Sequence, residues 1–150
     1  MSYYGTLNDA DLYFLTKRLD PNQLWATTPT HVKEAALEDA TRRIDRLNFI
    51  GDKTDEGQEL EFPRGGDTVV PTKIKEACYE IAYSIVDGKD LEFELESLGE
   101  QSASYGGARV RKDPLYYPEA YLNGIPSFNA WAILKPYLRD NQSIRILRAD

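Results

Sequence analysis

The sequence has few of the side chains from which active sites are usually built. Its 150 residues include one cysteine and one histidine. The lone Cys78 excludes an intramolecular disulfide and fits a reducing compartment during folding. The lone His31 falls in the first turn of a predicted helix, where we expect a surface histidine without a catalytic partner. The sequence therefore predicts no catalytic residue, no cofactor and no metal site, and we expect that the protein is not an enzyme.

Long apolar runs are also missing. No stretch approaches the roughly 20 apolar residues that span a bilayer as a helix. The first residues, Met1 to Gly5, lack the basic region and the apolar stretch of a secretory signal. We therefore expect no membrane partner.

Positive charge is scarce as well. There are 18 Lys and Arg against 25 Asp and Glu, a net charge of −7. Residues 1–106 are acidic, whereas residues 107–150 carry 7 basic and 4 acidic groups. An acidic body does not favour a grip on phosphate backbones, because that affinity comes from Lys and Arg displacing counterions. The uneven charge also suits head-to-tail contacts between identical subunits.

Apolar residues at helical spacing predict three main helices and a short C-terminal one. The first has two apolar stripes, Leu7-Ala10-Phe14 and Leu12-Leu15-Leu19, which together predict a wide apolar face. Thr6, Thr28 and Ser127 are the predicted N-caps. The predicted ranges are 6–19, 29–48 and 71–87, with the short helix running from Ser127 to about Pro136.

Two stretches are expected to be extended. Leu60 and Phe62 alternate with polar residues in the connection 51–70, which favours a long loop or β-hairpin. Leu91, Phe93 and Leu95 alternate with three glutamates, the pattern of a half-buried strand or arm. We expect those glutamates to be solvated and not to bind a metal, because calcium loops have another spacing.

These segments predict a mainly α fold, a small helical bundle with a long loop or hairpin and an extended C-terminal arm. The predicted domain covers 1–140, with extended segments at 51–70 and 89–126, and residues 141–150 form a tail. An alternative is a single-stranded nucleic-acid-binding module, because Arg109, Arg111 and Lys112 lie near clustered tyrosines. A small enzyme of unknown type is a third hypothesis.

Five motifs follow one another along the chain. They are Leu37-x-x-Ala40-Thr41-x-x-Ile44-Asp45, Gln58-x-Leu60-x-Phe62-Pro63-Arg64, Val70-Pro71-x-x-Ile74-Lys75-x-Ala77-Cys78-x-Glu80-x-Ala82, Glu96-Ser97-x-Gly99-x-x-Ser102-x-Ser104-Tyr105 and Leu134-x-Pro136-Tyr137-Leu138. In this order they resemble the head-tail connector (adaptor) proteins of tailed bacteriophages, over roughly residues 3–140. One branch of that family is labelled DnaT-like single-stranded-DNA-binding protein.

The resemblance implies a structural subunit of the virion at the head-tail interface, made in the host bacterial cytoplasm. Such subunits form a homo-oligomeric, dodecameric ring under the portal protein, extend the DNA ejection channel and dock a downstream tail component such as a nozzle, stopper or tail tube. Genomic DNA passes through without sequence recognition. The family's portal-binding tail falls on Ile144, Arg145, Ile146, Leu147 and Arg148. The predicted subunit interface comprises Leu60, Phe62, Leu91, Phe93, Leu95, Tyr116 and Tyr117.

Overall fold

The computed structural model describes residues 2–106 and 118–139, and within these two ranges the regular structure is helical. The predicted mainly α bundle is therefore confirmed. The elements are α1 (Leu7–Leu12) continuing into a π-helical turn (Tyr13–Lys17), α2 (Leu24–Thr27), α3 (Thr30–Asp45), α4 (Thr72–Val86), α5 (Leu91–Gly106), α6 (Glu119–Leu122) and α7 (Phe128–Leu134), which runs into a 3₁₀ turn (Lys135–Tyr137).

Helix α4 is the central element and contacts α3, α7 and α2. Small side chains, among them Ala36 and Ala40 on α3 and Ala77 on α4, are fully enclosed, so the helices carrying them approach closely. Leu37, Ile74 and Ile81 fill the remaining core volume and are fully buried. The core thus follows the helical spacing of apolar residues that the sequence displays.

The helix starts confirm two of the three predicted caps. The hydroxyl oxygen of Thr6 accepts from Asp9 N–H, and that of Ser127 accepts from Ala130 N–H, both at 3.1 Å. The prediction for Thr28 was wrong: Pro29 is the cap residue of α3, and Thr28 donates its hydroxyl to the carbonyl of Leu24. The reason is the short helix α2, which the sequence analysis did not predict and which occupies Thr28 at its own end.

The extended segment predicted at 89–126 is helical where the structure describes it, in α5 (Leu91–Gly106) and α6 (Glu119–Leu122), which is the main correction to the sequence analysis. Leu91 and Leu95 pack partly buried against the core together with Leu98, at the i, i+4, i+7 spacing of one helix face. Asp90 Oδ1 accepts from Glu92 N–H at 3.0 Å and caps the helix start. Glutamates in the first turn complement the positive end of the helix dipole.

The connection between α3 and α4 folds back as a hairpin-like loop held by single β-bridges. Lys53 pairs with Arg64, and Phe49 pairs with Leu138. The Arg64 guanidinium donates to backbone carbonyls of the loop, including that of Ile50 at 3.2 Å. Arg139 donates from its backbone N–H to Asn48 and from Nε to Phe49. The predicted loop or hairpin is thus present, and Leu138 and Arg139 tie it to the bundle.

A partly buried hydrogen-bonded pair, Tyr4 and Asp45, fixes the N-terminus to the same loop. The Tyr4 hydroxyl donates to Asp45 Oδ1 and accepts from the backbone N–H of Phe62 at 3.2 Å. Burial raises the pKa of Asp45 above its usual range, although the hydrogen bond from Tyr4 acts in the opposite direction. Tyr4 is itself buried and packs edge-on against Phe62, so one aromatic side chain connects the N-terminus, α3 and the loop.

Candidate protein-docking surface

Three leucines of the N-terminal helical segment project into solvent. Leu12, Leu15 and Leu19 are 54%, 80% and 81% exposed, whereas Phe14 is buried. The expected wide apolar face is therefore only half covered: the stripe containing Ala10 and Phe14 faces the core and the leucine stripe does not. Exposed single leucines are ordinary on protein surfaces, but Leu15 and Leu19 line one open groove, an arrangement typical of a contact site, whereas Leu12 does not line that groove.

The π-helical turn helps to place these leucines. Its wider spacing is shown by the hydrogen bond from Arg18 N–H to the carbonyl of Tyr13 at 2.9 Å. Such a turn adds a residue relative to an α-helix and shifts the direction of the side chains that follow. Within this turn Phe14 is buried and the adjacent Leu15 is exposed.

An open groove of about 490 Å³ adjoins Leu15 and Leu19. Its floor is aromatic and consists of Phe14 and Trp25, whose ring centroids lie 4.9 Å apart. Tyr83 of α4 stacks on Phe14 with centroids 5.2 Å apart and supports this floor without lining the groove. The lining residues are Asp11, Phe14, Leu15, Arg18, Leu19, Asp20, Gln23, Trp25, Ala26 and Lys33. The volume is sufficient for a few apolar side chains of a partner.

Polar contacts hold the aromatic floor in place. Asp11 Oδ1 accepts from Trp25 Nε1 at 2.8 Å and from Lys33 Nζ at 3.0 Å. Asp20 accepts the backbone N–H of Trp25 and the hydroxyl of Tyr83. Lys33 is only 8% exposed and lies over the Trp25 ring, so its charge is compensated inside the wall of the groove.

A second set of contacts fixes the rim to α4. The buried Glu80 accepts from the Tyr13 hydroxyl at 2.6 Å and pairs with Arg18 Nε at 3.4 Å. The Arg18 guanidinium lies 4.3 Å from the centre of the Tyr83 ring. Burial raises the pKa of Tyr13 above its usual range, and the hydrogen bond to Glu80 adds to the rise. The groove is therefore pre-formed and not created by a bound partner.

Residues 2–106 and 118–139, the part of the chain that the structure describes, form an acidic body with 22 acidic and 13 basic side chains. Nine of those basic side chains lie in ion pairs with Asp or Glu: Lys17, Arg18, Lys33, Arg42, Arg43, Lys53, Arg64, Lys73 and Lys135. The described residues consequently present no continuous basic stripe of the kind that follows a nucleic-acid backbone.

The structure places the predicted interface residues in different surroundings. Phe62 is 5% exposed and packs among Tyr4, Phe49 and Tyr137 of its own chain, so no neighbour is needed to cover it. Leu60, Leu91 and Leu95 are partly buried on the same core. Phe93 is 65% exposed, and its interface role stays a prediction.

The remaining predicted residues lie outside the described parts of the chain. They are Arg109, Arg111, Lys112, Tyr116, Tyr117, Ile144, Arg145, Ile146, Leu147 and Arg148. Conversely, the sequence analysis placed Leu12, Leu15 and Leu19 on a wide apolar face and did not predict that they are exposed. A short helix that packs on one core buries only one of two apolar stripes. The presence of a second stripe in the sequence could therefore have indicated exposed leucines.

The groups that could carry chemistry are buried or isolated. Cys78 is buried, and this burial raises its pKa to about 12, so its thiol is not a reactive thiolate at neutral pH. His31 is exposed at the start of α3. Within the described ranges no cluster of three His, Cys, Asp or Glu forms a metal site.

In the same part of the chain no helix is both long and apolar enough to cross a membrane.

Together the fold and the groove define a small helical domain with a partly apolar surface groove on an acidic body. Residues 2–119 match the family model described as "Putative DnaT-like ssDNA binding protein". Because the match covers most of the chain, the protein belongs to this family. No curated protein and no solved structure matches the chain.

Proposed function

We propose that the protein is a structural head-to-tail connector subunit of a tailed bacteriophage, which works through protein contacts and is not an enzyme. The observation that carries this function is the exposed leucine surface around a rigid groove. A monomer gains nothing from leaving Leu15 and Leu19 in water, and burying each against a partner contributes about 1.5–3 kcal/mol before the costs of association.

The charge of the body supports the same proposal. A connector lines a channel that DNA passes through, and acidic walls let a polyanion slide without sticking. Most described cations are already engaged with carboxylates, so few are available for phosphate contacts. The partners in this proposal are the portal protein, further copies in a ring, and a downstream tail component.

A second candidate function is single-stranded-DNA binding, and the family match favours it more directly than it favours the connector. The family description names this activity. The described body offers no basic stripe, so the phosphate contacts would fall to Arg109, Arg111 and Lys112, beside Tyr116 and Tyr117. In this alternative the exposed leucines have no direct role.

One sedimentation experiment at physiological salt distinguishes the connector function from single-stranded-DNA binding. The full-length protein is mixed with purified portal rings of its own phage, or with a labelled single-stranded oligonucleotide. The connector proposal predicts that the protein sediments with the portal and leaves the oligonucleotide unbound. Sedimentation with the oligonucleotide and not with the portal would replace the first function by the second.

The single-strand alternative makes its own prediction for the basic cluster. If it holds, changing Arg109, Arg111 and Lys112 together to alanine weakens oligonucleotide binding by roughly ten-fold or more, and flattens its salt dependence. The measurement is a gel shift across a salt series. A matched control removes three ion-paired cations elsewhere, Lys17, Lys73 and Lys135, which should leave binding unchanged. An equal loss in both variants would assign the effect to net charge alone.

A further inference from the structure

A pair of stacked aromatic rings lies where helices α6 and α7 meet. The rings of Tyr121 and Phe128 are nearly parallel, with an interplanar angle of 13° and centroids 5.1 Å apart. Tyr121 is 7% exposed, whereas Phe128 is 58% exposed. One face of the Phe128 ring rests on Tyr121, so an exposure of this size leaves the opposite face open to solvent.

The turn between the two helices holds the pair in a fixed position. The backbone N–H of Ile125 donates to the carbonyl of Ala120 at 2.9 Å and closes the turn. From α3, Arg43 Nη1 donates to the carbonyl of Gly124 at 3.0 Å. The ring of Phe128 is therefore oriented in advance, and a ligand that contacts it does not have to order it.

A cation lies beside the stacked pair. Lys89 Nζ donates to the Tyr121 hydroxyl at 3.4 Å and lies 5.8 Å from the centre of that ring. Lys89 is not one of the nine basic side chains that form ion pairs with carboxylates in the described part of the chain. An ammonium group has three N–H donors, so Lys89 has donors left for an anion.

We infer that the open face of Phe128 stacks on an unpaired nucleobase of single-stranded DNA and that Lys89 contacts a phosphate of the same strand. The inference rests on single-stranded-DNA binding, the second candidate function above, and gives that function a site on the described body. Lys89 adds one phosphate contact to those assigned there to Arg109, Arg111 and Lys112.

A nucleotide matches this site because it supplies a flat aromatic base and a negatively charged phosphate in one unit. Proteins that bind single strands without sequence preference combine aromatic stacking surfaces with cations in this way. An apolar protein segment would match the ring of Phe128 but not the lysine. Stacking uses the uncharged face of a base, so this contact does not require the continuous basic stripe that the described residues lack.

Two oligonucleotides of equal length separate stacking from phosphate contacts. One is a fluorescein-labelled oligothymidylate of about 20 nucleotides, a length that exceeds usual single-strand site sizes. The other carries abasic sugars throughout, so it has the same backbone charge and no bases. With the full-length protein at one fixed salt concentration, we expect anisotropy to show tighter binding of the oligothymidylate, by roughly five-fold or more.

Variants at Phe128 assign this preference to the ring. Phe128→Ala should bind both oligonucleotides alike, and Phe128→Leu should do the same because it keeps an apolar side chain without a π-face. Phe128→Trp should retain the preference. Lys89→Ala should weaken the binding of both oligonucleotides by the same factor, since both contain phosphates. Circular dichroism melting checks that each variant is folded.

A second exposed phenylalanine provides the matched control. Phe93 is 65% exposed and has no stacked partner within the described residues, so Phe93→Ala should keep the wild-type preference.

Several results would overturn the inference and leave single-strand binding standing. They are equal binding of the two oligonucleotides by the wild-type protein, an undiminished preference in Phe128→Ala or Phe128→Leu, and a loss of preference in Phe93→Ala. An unchanged affinity in Lys89→Ala would contradict the phosphate contact. Absence of binding to either oligonucleotide would overturn the single-strand function together with the inference.

Discussion

Replacing Trp25 by alanine is expected to lower the free energy of unfolding by about 3–5 kcal/mol, the usual cost of removing a buried tryptophan. Trp25 fills the space between Phe14 and α4, and its indole N–H is bonded to Asp11. Its loss opens a cavity and removes one of the partners that hold Asp11. Urea denaturation followed by circular dichroism gives the value.

A matched variant separates packing from hydrogen bonding at the same position. Trp25→Phe keeps much of the aromatic volume and loses the bond to Asp11, so we expect a smaller loss than in Trp25→Ala. If both variants unfold with the wild-type midpoint, the aromatic floor does not contribute to folding and the groove is not pre-formed.

The helix positions were predictable because each main helix carries a long and consistent apolar pattern. Helix α4 shows this best: Ile74, Ala77 and Ile81 repeat at helical spacing, and all three are fully buried. A proline precedes the helix and Gly88 follows it, which marks both ends locally.

Helix α5 was mispredicted because two periods fit the same few residues. Leu91 and Leu95 are four apart, which suits a strand face and a helix face equally. Phe93 created the apparent alternation, and the structure leaves it exposed while Leu98 continues the helical stripe. The capping carboxylate of Asp90 was the local signal for a helix start.

The environment of Phe62 could not be read from the sequence, because it depends on contacts far apart in the chain. Tyr4, Phe49 and Tyr137 converge on this ring from three separate segments. The sequence analysis expected a neighbouring subunit to cover Leu60 and Phe62, whereas the structure buries Phe62 within its own chain. The exposure of Leu15 escaped prediction for the converse reason, since periodicity indicates an apolar face and not the partner that covers it.

The leucine surface gives the largest expected functional effect. Changing Leu15 and Leu19 together to aspartate places two charges where a partner must bury apolar area, and repulsion from the acidic body adds to the penalty. Because both side chains are about 80% exposed, the variant should fold with a wild-type melting temperature. We expect it to lose stable assembly on the portal.

Negative-stain imaging of portal rings mixed with the full-length protein tests the role of this surface most directly. Wild-type protein should add a ring of density beneath the portal, and so should a control variant in which the exposed loop residue Val69 is changed to aspartate. The Leu15→Asp, Leu19→Asp variant should leave the portal bare. A complete ring formed by that variant would contradict the proposed role of the leucine surface, and a bare portal with wild-type protein would contradict the connector function itself.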